Sequence, residues 1–158
     1  MVRNLERSRR FYAEVIGLTA TYFDADLSAT VSSRMLGTQA GSSIRVAILK
    51  PAAIAGRPAP DFGMVGLFEL GDTDIPAVPA RKDGVAFGEG VLVFYVANLA
   101  AALDSVKALG GYIVTEPARF EYNDISVAEV IIRDPDGIAI NLVETQEHLA
   151  WGTNQTQA

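Results

Sequence analysis

The chain runs to 158 residues, enough for one domain or two small halves sharing a core, and 49% of them are hydrophobic. Its net charge of −6 leaves no basic field to draw nucleic acid or an anionic membrane, and the absence of cysteine excludes disulfides, thiolate metal sites and a cysteine nucleophile. No apolar run approaches the length of a membrane span and the N-terminus lacks the apolar core of a signal peptide, so the expectation is a soluble cytoplasmic protein.

Val2-Arg3-Asn4-Leu5 opens the chain. The Asn4 side chain can accept from orphan backbone N–H groups, which predicts a helix from Leu5 to Ile16 closing on Gly17. Strand-like runs follow at Ala20 to Phe23, Ser43 to Leu49 and Val65 to Leu70. Residues 72–88 carry Pro and Gly, are more polar and read as a linker. Gly90 to Val96 is the next apolar strand. Val96-Ala97-Asn98-Leu99 then repeats the opening tetrapeptide pattern, and its helix, Leu99 to Leu109, closes on Gly110-Gly111. Strands are expected at Tyr112 to Thr115, Ser126 to Arg133 and Ile138 to Val143. Glu116 to Asp124 reads as a loop long and aromatic enough to act as a lid. Asp134-Pro135-Asp136-Gly137 is a tight-turn signal, Pro fixing φ and Gly accepting a positive one, so the last two strands form a hairpin. Residues 147–158 read as a polar, frayed tail.

The halves are related by a constant offset, Val2 to Gly17 matching Val96 to Gly111. At the far ends Leu67-Phe68-Glu69-Leu70 parallels Ala139-Ile140-Asn141-Leu142. The second half, residues 89–146, is β-α-β-β-β. The first half, residues 1–71, has the same order but only the end of its first strand, at Val2, which leads to the expectation of a truncated or missing strand upstream. In Gly90 to Val96, alternation puts Leu92, Phe94 and Val96 toward the helix and Val91, Val93 and Tyr95 on the other face.

Two segments carry a resemblance. Arg133-Asp134-Pro135-Asp136-Gly137 through Leu142 resembles the closing hairpin of the vicinal oxygen chelate superfamily, the fold of glyoxalases, bleomycin-resistance proteins and extradiol dioxygenases. Asn4 to Tyr12, with Ile16-Gly17-Leu18, resembles that family's first helix with its Phe-Tyr pair and closing Gly-Leu. The resemblance implies an α+β fold of two βαβββ modules whose mixed sheet curls into a cup, a small organic molecule as ligand, and a homodimer.

Metal-holding members of the family place a histidine on the first strand of each half and a carboxylate on the last. Carried over residue by residue, Glu69 matches a carboxylate position, Asn141 stands where the second carboxylate is expected and Val91 where a histidine is expected. Valine cannot ligate, neutral asparagine is a poor substitute, and the single histidine, His148, lies in the tail. No metal cofactor is expected. Retention of a divalent metal through the missing strand and Glu69, with Glu129, Glu121 or Asp124, is the least favoured alternative.

The leading expectation is a metal-independent enzyme that abstracts a proton next to a carbonyl, in an isomerase, epimerase or lyase step. Glu69 would be the base, since a carboxylate in an apolar cup suits that role near neutrality, with Asn141 and Tyr95 assisting as donors. Val91, Val93, Arg45, Glu129, Arg133, Phe120 and Tyr122 are the expected substrate-binding residues. Glu129 and Arg133 share a strand face and would either pair with each other or grip an anionic substrate. The alternative is a metal-free protein that sequesters a ligand by aromatic and apolar contact.

Overall fold

The computed structural model describes residues 1–37, 43–52, 63–71, 81–122 and 125–145. The chain divides into two compact units, Met1–Val78 and Pro79–Ala158. The class is α+β, as expected.

In the first unit, α1 (Leu5–Phe11) runs into a π-helical turn (Tyr12–Ile16) and is followed by β1 (Ala20–Leu27), α2 (Ala29–Leu36), β2 (Ile44–Lys50) and β3 (Val65–Leu70). The Arg7 N–H donates to the Asn4 side chain at 2.8 Å, and Gly17 closes the helix at φ 86°. The strands form an antiparallel sheet in the order β1-β2-β3. Val2 adds one parallel bridge to Glu69 on the other edge of β3. The helix α2 was not foreseen from the sequence.

The second unit contains β4 (Val91–Val96), α3 (Leu99–Ala108), β5 (Tyr112–Ile113), β6 (Ala118–Tyr122), β7 (Ile125–Arg133) and β8 (Ala139–Thr145). The cap of α1 recurs here: Asn98 sits at φ −148° and ψ 106°, against −148° and 109° for Asn4, and accepts from the Ala101 N–H at 2.9 Å. The sheet is mixed, in the order β4-β8-β7-β5, with β6 also on β7. The parallel pair is β4 with β8. Residues 118–122 are therefore a paired strand and not the expected lid. One long strand of the βαβββ pattern is broken into β5 and β6, both antiparallel to β7.

The turn at Asp134 forms as its composition predicts. The Asp134 Oδ1 accepts from the N–H groups of Asp136 and Ile138, each at 2.9 Å, and Gly137 takes φ 95°. It sets the β7–β8 register, Ile131 opposite Asn141 and Glu129 opposite Val143.

In each unit one face of the sheet packs on the helix. In the second, Ile140 and Leu142 of β8 and Val130 and Ile132 of β7 are buried with Leu99, Ala102, Leu103 and Val106 of α3. Each large apolar side chain so buried contributes roughly 1.5–3 kcal/mol. In the first, Ala47, Leu49 and Leu67 share their face with Arg45 and Glu69, which reach α1, and Leu5 and Phe11 are fully buried. The far faces, turned away from the helices, carry the remaining residues.

Residues 72–80 lie outside the described residues, whereas 81–89 are tied to β7 of the second unit. The expected tail, with His148, also lies outside the described residues, as does Asp124.

Candidate functional site

Glu69 is held on the helix side of its sheet. Its Oε2 accepts the Leu5 N–H at 2.7 Å, at the first turn of α1. In the second unit the Oε2 of Glu144 accepts the Leu99 N–H at 2.6 Å, at the first turn of α3. The ladders agree: Val2 bridges Glu69 as Val96 pairs with Glu144. Glu69 therefore corresponds to Glu144, three residues beyond the expected match with Asn141. Both carboxylates satisfy an orphan helix N–H and favour the positive end of the helix dipole.

This register corrects the expected carry-over. The first-unit counterpart of Asn141 is Gly66, and Glu69 is not at the carboxylate position of the pattern. A Cβ built on Gly66 would lie 2.9 Å from Cε2 of Phe68, so the Phe68 ring covers that position. Glu69 faces α1 of its own unit, and within the second unit Val91, Val93 and Asn141 stand on the far face of the sheet.

That far face can be read from the ladders. Val93, Asn141 and Ile131 lie side by side on β4, β8 and β7, and the next row holds Tyr95, Val143, Glu129 and Ala118. Phe120, opposite Val127, extends the same face onto β6. Val91, Val93, Tyr95 and Phe120 are exposed. In the middle the Asn141 Nδ2 donates to Glu129 Oε2 at 2.8 Å. The Asn141 Oδ1 is buried with no hydrogen-bond partner. The Tyr122 side chain lies outside the described residues.

Arg133 is not a substrate-binding residue. It belongs to the far face by alternation but is fully buried, beneath residues 81–89. Its Nε donates to the Arg81 carbonyl at 2.7 Å, Nη1 to the Gly137 carbonyl and to Glu89, and Nη2 to the Gly84 carbonyl and to Glu89. All five guanidinium N–H groups are thus committed. The Arg133 guanidinium, with the Ala86 N–H in second place, holds the Glu89 carboxyl down at about 2. Hydrogen bonding to Glu89 in turn raises Arg133 above its ordinary value. The alternative pairing of Arg133 with Glu129 is not made, because Glu129 is bonded to Asn141.

Arg45 also departs from expectation. It lies on the helix side, donating to Glu6 Oε1 at 3.1 Å, with Glu69 and Asp26 carboxylates at 3.7 and 3.8 Å. Its counterpart in the second unit is Ala128, and there Arg119 of β6 reaches Glu144 at 3.2 Å instead. Tyr12, of the Phe-Tyr pair in the first helix, is buried edge-on against Phe11, the ring centroids 5.7 Å apart.

Sequence reasoning missed Glu89 and Glu144. Leu67-Phe68-Glu69 and Leu142-Val143-Glu144 share Leu-x-Glu, and aligning on that pattern would have found the second. Nothing near Glu89 in sequence signals its arginine, 44 residues away.

The matched metal positions hold Val91, Asn141 and Gly66, which offer one neutral oxygen among them. Among the described residues no three His, Cys, Asp or Glu side chains gather to hold an ion. The donor set does not fit the family's metal.

The family model described as the Glyoxalase/Bleomycin resistance protein/Dioxygenase superfamily matches residues 1–142. A glyoxalase family protein from Bacillus cereus has a similar structure, with TM-score 0.66 and 18% identity over 91% of this chain and 88% of that one. A glyoxalase family protein from Enterococcus faecalis gives 0.51 and 17% over 90% of each chain. A glyoxalase I variant from Zea mays gives 0.50 and 18% over 94% of this chain and 46% of that one. No curated protein matches.

Proposed function

The chain belongs to the glyoxalase/bleomycin resistance protein/dioxygenase superfamily, and from that premise we propose that it is a small-molecule enzyme working without the family's metal. The reaction is proton abstraction next to a carbonyl, on the far face of the second unit. The observation that carries this reading is the Glu129–Asn141 hydrogen bond, set among Val91, Val93, Val143, Ile131 and Phe120. Glu69 is engaged at the Leu5 N–H, so the base is Glu129. Asn141 orients it through Oε2, which leaves Oε1 to take the proton. Tyr95, in the same row, is the candidate acid that protonates the enolate oxygen or a leaving group. Return of the proton to carbon completes an isomerisation or epimerisation, and loss of a leaving group completes a lyase step. The homodimer and the cytoplasmic location belong to the same proposal.

The test is hydrogen–deuterium exchange at the α-carbon of a panel of small carbonyl compounds in D2O, followed by proton NMR. Wild type and Glu69→Gln should both catalyse exchange, and Glu129→Gln should be slower by about 100-fold or more. Undiminished exchange by Glu129→Gln sinks the assignment. A second reading, a ligand-sequestering protein, is favoured by the exposed Val93, Tyr95 and Phe120. Saturable binding with no exchange for any compound would select it.

A further inference from the structure

Resting on that reading of the far face, we infer that its ligand carries N–H groups, as an amide, amidine or amine does, and that Asn141 Oδ1 is the acceptor that selects it. The orientation of the Asn141 amide is fixed chemically. A carboxylate only accepts, so the nitrogen must face Glu129 and the oxygen must point elsewhere. That oxygen is buried and unpartnered. The side chains of its neighbours in the sheet, Val93 and Ile131, have no donor to give, nor have those of Ala139 and Val143 on the same face of β8. A buried acceptor of this kind is satisfied by a donor that arrives from outside.

The rest of the face agrees. Its carboxylate, Glu129, also accepts, so the polar centre offers two acceptors side by side. The arginine on this face, Arg133, has all five donors occupied and cannot greet an anion. The net charge of −6 further favours a neutral or cationic ligand over an anionic one. The exposed Val93, Tyr95 and Phe120 suit a flat apolar body attached to the N–H group.

Three probes of one ring size separate the possibilities: benzamidine brings N–H donors, benzoate the same planar fork as acceptors, and acetophenone neither. Each is titrated into the isotope-labelled full chain and followed through the backbone amides of Val93, Glu129 and Asn141. Benzamidine should bind at least 10-fold tighter than benzoate. Asn141→Leu should weaken benzamidine at least 10-fold while leaving acetophenone unchanged, and Asn141→Asp, which keeps an acceptor, should retain it. Benzoate binding as tightly as benzamidine, or an Asn141→Leu change that leaves benzamidine unaffected, overturns the inference. Acetophenone binding with no preference for benzamidine overturns the inference and spares the small-molecule site. No response of these amides to any probe removes the site as well.

Discussion

In the first unit the centre of the far face is Gly66, under the Phe68 ring, beside Val46 and Ile48; in the second it is Asn141, bonded to Glu129, beside Val143 and Ile131. On the helix side the units hardly differ. Each has an asparagine cap, a glycine in the left-handed region just past the helix, and a glutamate on its last strand that accepts the first N–H of the helix. Backbone geometry dictates those helix-side positions, because a helix end leaves donors that something must satisfy. Nothing in the backbone dictates the far face, so one copy can be apolar and the other polar on the same frame.

The largest expected effect comes from the arginine that ties residues 81–89 to the second unit. Arg133→Met removes five hydrogen bonds, to Glu89 and to the Arg81, Gly84 and Gly137 carbonyls, and should lower stability by about 3 kcal/mol in urea unfolding followed by circular dichroism. Its first-unit counterpart by register, Lys50, lies beside the Tyr22 ring, 5.4 Å from its centroid, and Lys50→Met should cost less than about 1 kcal/mol. Equal losses would erase this difference between the units.

Next come the paired glutamates. Glu69→Gln and Glu144→Gln should each lower stability by about 1–2 kcal/mol, and by the same amount to within about 0.5 kcal/mol. A loss confined to one variant would break the equivalence that the ladders establish. This is also where the sequence was misread. The caps, the helices, the closing hairpin and the family were legible, because each rests on local chemistry or a contiguous motif. Matching Glu69 to Asn141 failed because the loops between strands differ in length, so no constant offset survives to the last strand. The Glu129–Asn141 pair was legible only as two separate candidates, since their meeting depends on a cross-strand diagonal fixed by the Asp134 turn. The role of Arg133 could not be read at all. Its partners are backbone carbonyls and a glutamate far away in the chain.

The smallest effect is a pH dependence particular to the second unit. The Glu89 carboxyl is lowered from 4.5 to about 2, first by its hydrogen bond with Arg133. A carboxyl lowered on folding adds stability that is present in full above its unfolded value, near 4.5, and is lost as pH falls toward its folded value, near 2. Wild type should therefore lose more stability over that window than Glu89→Gln does, with amide exchange rising in residues 81–89. Identical acid profiles for the two proteins would show that Glu89 carries no such linkage.

The glycine under the Phe68 ring also makes the two halves unequal as material for engineering. In the second half positions 91, 129 and 141 already carry side chains, and Asn141 and Glu129 share a hydrogen bond that couples their effects. At position 66 any side chain starts with its Cβ 2.9 Å from an aromatic carbon. A side chain there requires the Phe68 ring to shift, so the effects of substitutions at 66 and 68 are coupled and not additive. A library for either half is therefore best varied in pairs, 66 with 68 in the first and 129 with 141 in the second.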